Sequence, residues 1–312
     1  MHIFRWDLDR TYLETEIDSV RGLVRAAFEE ANEKRTVPGA GALVRALQMH
    51  DPASRLVVIS GSPLQMRTVL EEKLKLDGIR VDRLILKDNL GNLRRGRFRA
   101  VRGQLGYKLP NLLRERTEAT PGDHETLFGD DAEVDGLVYA VYAAALAGEI
   151  GEREVRSILE AGGAYPDAIQ ISTEALRRLH SEAAVEDIFI RLDRGVPLQR
   201  FHLLGQRVTP VASWFQAAAV LRLRDRLGPG ALAAVAEANG LDPRPAASQL
   251  QDLVRRGVVP GGALLEALDH PACAPLRATT EVALRHLGSL TSDPRPSSRP
   301  DFLGFLRASQ GS

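Results

Sequence analysis

Short apolar runs alternate with helical patterns along the first half of the chain, and this alternation constrains the fold more than any other feature. Residues 3–8, 55–59 (RLVVI), 83–86 and 125–128 are short and apolar enough for buried strands. The predicted helices between and after them are 17–34, 41–49, 64–76 and 109–116. Asp18 and Ser19 stand near the start of the first, where acidic and capping side chains suit the helix dipole. A strand covered on both faces reads as a continuous apolar run, as in a parallel sheet flanked by helices. The expectation is an α/β chain with a doubly wound, Rossmann-like parallel sheet whose ligand site lies at the carboxyl ends of its strands.

Beyond residue 148 the pattern becomes helical, at 152–161 and 173–179, which predicts a helical insertion over about 149–185. Residues 186–192 (EDIFIRL) read as a strand that rejoins the sheet. Residues 206–211 (QRVTPV) suit only an edge strand, because Pro210 has no N–H for a central ladder. An Ala-rich helix follows at 214–227, in which Trp214, Phe215, Val220 and Leu221 have core-like spacing. The predicted organisation is a catalytic core over 1–226, a helical extension of short helices over 227–290 and a flexible tail over 291–312 that opens on TSDPRPSSRP.

Lys plus Arg and Asp plus Glu each total 41 in 312 residues, so no global charge draws the chain to nucleic acid or an anionic membrane. An anionic ligand must be met locally. A single cysteine excludes a disulfide framework, and His270 with Cys273 lacks the second pair that a metal tetrad needs. The start, MHIFRWDLD, lacks the pattern of a leader, and residues 140–147 (AVYAAALA) are too few to cross a bilayer. These features predict a cytoplasmic protein with no membrane span.

Four motifs carry chemistry. In Asp7-Leu8-Asp9-Arg10-Thr11, two carboxylates two residues apart follow a buried strand, so both can face one phosphate as the strand opens into a turn. Asp7 can attack phosphorus to form an aspartyl-phosphate, and Asp9 can protonate the leaving oxygen and then activate water, its backbone carbonyl being left for a metal. Ser60-Gly61-Ser62-Pro63 follows the strand 55–59, where a hydroxyl and loop amides suit phosphate oxygens. Thr11, Gly61 and Arg10 join Ser60 as candidate substrate contacts. Lys108, at a helix start, can offset the repulsion between a carboxylate nucleophile and a phosphate, and Lys87 at a strand end competes for that role. Last, Gly129-Asp130-Asp131 with Asp135 follows an apolar strand and offers hard oxygens to Mg²⁺.

Taken in order, DxDxT, a strand-end serine, a lysine and GDDxxxD on alternating β and α elements resemble the haloacid dehalogenase superfamily. The resemblance covers about residues 1–148. It implies a Mg²⁺-dependent phosphohydrolase in which Asp7 is the nucleophile and Asp9 the general acid/base, with Ser60 on the phosphate and the lysine at Lys108. It also implies Mg²⁺ on Asp7, the Asp9 carbonyl and an acid of the last motif, Asp130 or Asp131, with Asp135 in support. A finer likeness joins Ser60-Gly61-Ser62-Pro63, Leu86-Lys87-Asp88 and residues 187–221 to the bacterial subgroup related to phosphatidate phosphatases. That subgroup usually has DxDDT, whereas Arg10 occupies the fourth position here. The phosphorylated substrate is not identified. Arg94, Arg95, Arg97, Arg99 and Arg102 keep open a reading as an enzyme of nucleic-acid ends, and the helical carboxyl-terminal half keeps open a non-catalytic interaction protein.

Overall fold

The computed structural model describes residues 1–14, 31–88, 103–132, 134–287 and 299–310. Most of the helix predicted at 17–34, with any lid it would form, and the arginines from 94 to 102 lie outside these residues; 31–33 form a turn. The elements in chain order are β1 (His2–Trp6), α1 (Ala40–His50), β2 (Arg55–Pro63), α2 (Arg67–Leu76), β3 (Arg83–Lys87), α3 (Leu105–Arg116), β4 (His124–Asp130) and α4 (Asp135–Leu146). There follow α5 (Glu152–Ala161), α6 (Pro166–Arg178), β5 (Val185–Arg191), a short helical turn (Leu198–Phe201), β6 (Val208–Val211) and α7 (Trp214–Leu223). The chain closes with α8 (Ala231–Ala238), α9 (Pro243–Arg255), α10 (Gly261–Ala267), α11 (Ala274–Arg285) and α12 (Phe302–Gln310).

The six strands form one parallel sheet in the order β3-β2-β1-β4-β5-β6, the expected α/β core. β1, the first strand made, lies in the middle, so Asp7 and Asp9 emerge at the sheet's centre between β2 and β4. β6 is an edge strand, the position in which Pro210 is tolerated. Alternation gives the sheet two unlike faces. Ile3, Val57, Leu127 and Ile188 enter an aliphatic core that includes all the apolar residues of α4, a helix buried at every position. Trp6 stacks on Phe128 at 4.2 Å on the other face, with Phe189 5.5 Å from Phe128.

Two predicted boundaries move for physical reasons. β2 continues through Gly61 and Ser62 to Pro63, across a register irregularity after Ser60, where the sequence predicts a turn from Ser60 on. α3 begins at Leu105 and not near 109, because Pro110 is accommodated inside the helix. The Asn111 amide donates to the Tyr107 carbonyl at 2.7 Å in the turn that Pro110 disturbs. Lys108 thus lies within the helix's first turn.

The chain divides into two compact units, one of residues 1–35, 55–210 and 298–312 with the sheet, the other of 36–54 and 211–297. The second is helical: α7, buried from Trp214 through Leu221, is apolar nearly all round and so must be surrounded, as it is by α1 and α8 to α10. Residues 211–226, expected in the catalytic core, therefore group with this unit. Part of the stretch expected as a flexible tail is helical. Phe302, Phe305 and Leu306, spaced i, i+3, i+4, place α12 in the core of the sheet-bearing unit.

At the amino end of the central strands lies a buried ionic cluster that the apolar pattern does not predict. Arg5 binds Glu125 through Nε at 2.6 Å and Nη2 at 2.7 Å, and both side chains are almost wholly buried. The Tyr142 hydroxyl donates to the same carboxylate at 2.8 Å, and Arg116 reaches it at 3.2 Å. Burial alone would raise the Glu125 pKa, but its bonds and charge attraction to Arg5 outweigh that and hold it below the ordinary glutamate value.

Candidate active site

The site forms where β1, β2 and β4 end and α3 and α4 begin. Asp7 directly follows β1; its amide donates to the Phe128 carbonyl at 2.9 Å, which ties it to β4. Its carboxylate is fully buried, and Lys108 Nζ lies 2.7 Å from Oδ1. The same ammonium reaches Asp135 Oδ1 at 2.5 Å, so α3 and α4 each bring one charge to the nucleophile candidate. Lys87 Nζ donates to the Gly103 carbonyl at 2.9 Å and lies over the Tyr107 ring.

Asp130, the last residue of β4, takes the Ala132 amide on Oδ1 at 2.6 Å and the Thr11 hydroxyl on Oδ2 at 3.2 Å. Thr11 is itself fully buried, and its hydroxyl orients Asp130. Asp131 points away into another task. Its oxygens accept the amides of Asp193 at 2.6 Å, Arg194 at 2.7 Å and Val196 at 2.9 Å, and so hold the loop after β5. Adjacent acids at a strand end face opposite ways, which separates the two candidates that the motif leaves open.

Asp9 is positioned by β2. Ser60 and Ser62, two residues apart on a continuing strand, both donate to Asp9 Oδ2, at 2.9 and 2.8 Å. Ser60, expected on the phosphate, is thus a support of Asp9 here, and Ser62 joins it. The SGS spacing is the signal that could have revealed Ser62. Gly61 between them passes close to Gln104, whose amide nitrogen would lie 2.3 Å from a Cβ at this position.

The turn between Asp7 and Leu13 is held under tension. Arg10 has φ of 60°, a left-handed conformation that costs a non-glycine residue on the order of 1 kcal/mol or more. Two contacts sustain it. Arg191 at the end of β5 donates to the Arg10 carbonyl through Nε at 3.1 Å and Nη2 at 2.6 Å, and Arg10 Nη1 pairs with Asp193 at 3.0 Å. Burial would raise the Asp193 pKa, but the hydrogen bonds from Arg10 and Arg191 prevail and lower it. The arginine in the fourth motif position is therefore part of the loop's clamp in this structure. Sequence reasoning missed Arg191 and Asp193, both more than 180 residues from Arg10.

Asp7, Asp130 and Asp135 each offer a carboxylate oxygen within 4.8 Å of the others, and all are buried. Three carboxylates against the Lys108 ammonium leave an excess of negative charge, costly in a buried position unless a cation offsets it. Hard oxygen donors suit such an ion, and these residues fit a divalent metal. Gly129 makes room for the cluster: a Cβ there would lie 2.6 Å from Asp135 Oδ2 and 2.7 Å from its Cβ. Gly129→Ala should displace Asp135 and weaken divalent-cation affinity about 10- to 100-fold, as measured calorimetrically, with a cooperative melt retained. Unchanged affinity would remove Asp135 from the metal site.

Residues 6–157 match the family model for the catalytic domain of the phosphatidate phosphatase APP1. The matched segment contains Asp7, Asp9, Ser60, Lys108, Asp130 and Asp135, and it supports a phosphatase-related family for this half of the chain. No curated protein and no solved structure gives a match. Among the described residues no helix is long and apolar enough to cross a membrane.

Proposed function

We propose that the chain is a Mg²⁺-dependent phosphomonoesterase that works through an aspartyl-phosphate on Asp7. The observation that carries this reading is the division of labour between two aspartates. Asp7 sits against Lys108 in the carboxylate cluster, while Asp9 is held apart on two serine hydroxyls. Two acids in unlike surroundings can take unlike roles.

In the first step an Asp7 oxygen bonds to phosphorus as the ester P–O bond breaks, and Asp9 gives its proton to the leaving oxygen. Ser60 and Ser62 both hold Asp9 by Oδ2, which fixes the orientation that proton delivery requires. In the second step Asp9 takes a proton from water as that water attacks phosphorus, and inorganic phosphate leaves with Asp7 restored. Lys108 lessens the repulsion between the Asp7 carboxylate and the incoming dianion. Bound Mg²⁺ would neutralise phosphate charge and fix in-line geometry, held by Asp7, Asp130, Asp135 and the Asp9 carbonyl.

The family match makes a phosphorylated lipid the first natural substrate class to assay. Hydrolysis of phenyl phosphate should appear on adding Mg²⁺, disappear with chelator and return when Mg²⁺ is restored. Full activity in chelator would contradict the metal's place in the reading.

A further inference from the structure

A cleft of about 520 Å³ opens beside Asp130, lined entirely by residues of the sheet-bearing unit. Leu105, Phe201, Phe305 and Leu306 give it apolar walls, and Arg200 lines it too. Nε and Nη2 of Arg200 are shielded from solvent and have no hydrogen-bond partner among the described residues. The guanidinium lies 5.6 Å from the centre of the Phe305 ring. A ring contact of this kind satisfies none of the fork's N–H donors. Asp131, which also lines the cleft, is committed to three backbone amides of the loop after β5. A desolvated guanidinium is best satisfied by a planar or tetrahedral anion that accepts two parallel N–H bonds.

We propose that this cleft receives the leaving-group part of the substrate and that Arg200 captures a second anionic group on it, a carboxylate or a phosphate. Phe201, Phe305 and Leu306 take up the carbon skeleton between the two charged ends. The inference rests on the phosphomonoesterase reading and adds substrate selection to it. α12 contributes Phe305 and Leu306, so the end of the chain helps form the subsite.

Phenyl phosphate, 4-carboxyphenyl phosphate and hydroquinone bisphosphate share one apolar ring and differ in the second anion. With Mg²⁺ and the full chain, kcat/KM should favour one or both compounds that carry a second anionic group over phenyl phosphate by at least about tenfold. Arg200→Gln should abolish that ratio and Arg200→Lys keep part of it. Preference for only one compound identifies the anion as carboxylate or phosphate. A ratio near one in the wild type, or an unchanged ratio in Arg200→Gln, overturns the proposal. If phenyl phosphate is not hydrolysed at all, the phosphomonoesterase reading fails separately. Calorimetric binding of 4-carboxyphenyl phosphate and hydroquinone bisphosphate to the Asp7→Asn protein needs no turnover. Adding Arg200→Gln should weaken the binding of at least one by at least about tenfold, and affinities for both compounds left unchanged by Arg200→Gln would overturn the subsite.

Discussion

Replacing Asp7 by Asn is expected to lower phosphate-ester hydrolysis by at least about 10³-fold, because no other group in the proposed mechanism can take over the attack on phosphorus. The substitution keeps the shape of the side chain and the backbone bond to Phe128, so the sheet's central strand has no reason to move. It also removes one negative charge from a buried cluster of three carboxylates, which lessens their mutual repulsion. The thermal midpoint should therefore stay level or rise, as happens when a strained functional site is neutralised. Steady-state kinetics alongside a melting curve separates the two effects. A rate within tenfold of the wild type in a folded Asp7→Asn protein would mean that Asp7 is not the nucleophile.

The largest effect on stability is expected at the opposite end of the same strands. Glu125→Gln leaves Arg5 buried without its compensating charge, and breaking a buried pair in this way costs about 3–5 kcal/mol. The deficit should depend on pH in a definite direction. Because the folded-state pKa of Glu125 is depressed, its ionised form contributes stability that is fully present above the ordinary glutamate pKa and is lost as pH falls through the lower, folded value. Wild type and variant should thus differ most near neutrality and converge in acid. Urea unfolding at several pH values measures the gap, and a constant gap would show that the charge of Glu125 is not what stabilises the fold. Replacing both partners by apolar residues should cost much less than either single change.

These two clusters also mark what the sequence could and could not convey. Asp7, Asp9 and Asp130 are candidates from sequence alone because strand ends in an α/β alternation are where such chemistry is placed, and short motifs survive without long-range information. The choice of Lys108 over Lys87 follows from the helix that carries it, although Pro110 hid where that helix starts. Ser60 was legible as a site residue and not as a support of Asp9, since that depends on β2 continuing past Gly61 through a register irregularity. Arg5 and Glu125 lie 120 residues apart on adjacent strands, and only the register of β1 with β4 brings them together. Periodicity says nothing about register between strands far apart in the chain. The apolar spacing of Phe302, Phe305 and Leu306 lies directly after a Pro- and Ser-rich stretch whose composition is that of a linker.

A nucleophilic Asp7 must pass through a covalent phosphoryl group on its own carboxylate. An Asp9→Asn variant lacks the base for the second step but keeps the nucleophile, and acetyl phosphate has a leaving group that needs little protonation. Mixed with Mg²⁺ and acetyl phosphate and quenched in acid, this variant should carry the mass of one phosphoryl group on the peptide containing Asp7, and the Asp7→Asn, Asp9→Asn protein should carry none. A phosphoryl group on any other residue, or equal labelling of both proteins, would contradict a nucleophilic Asp7.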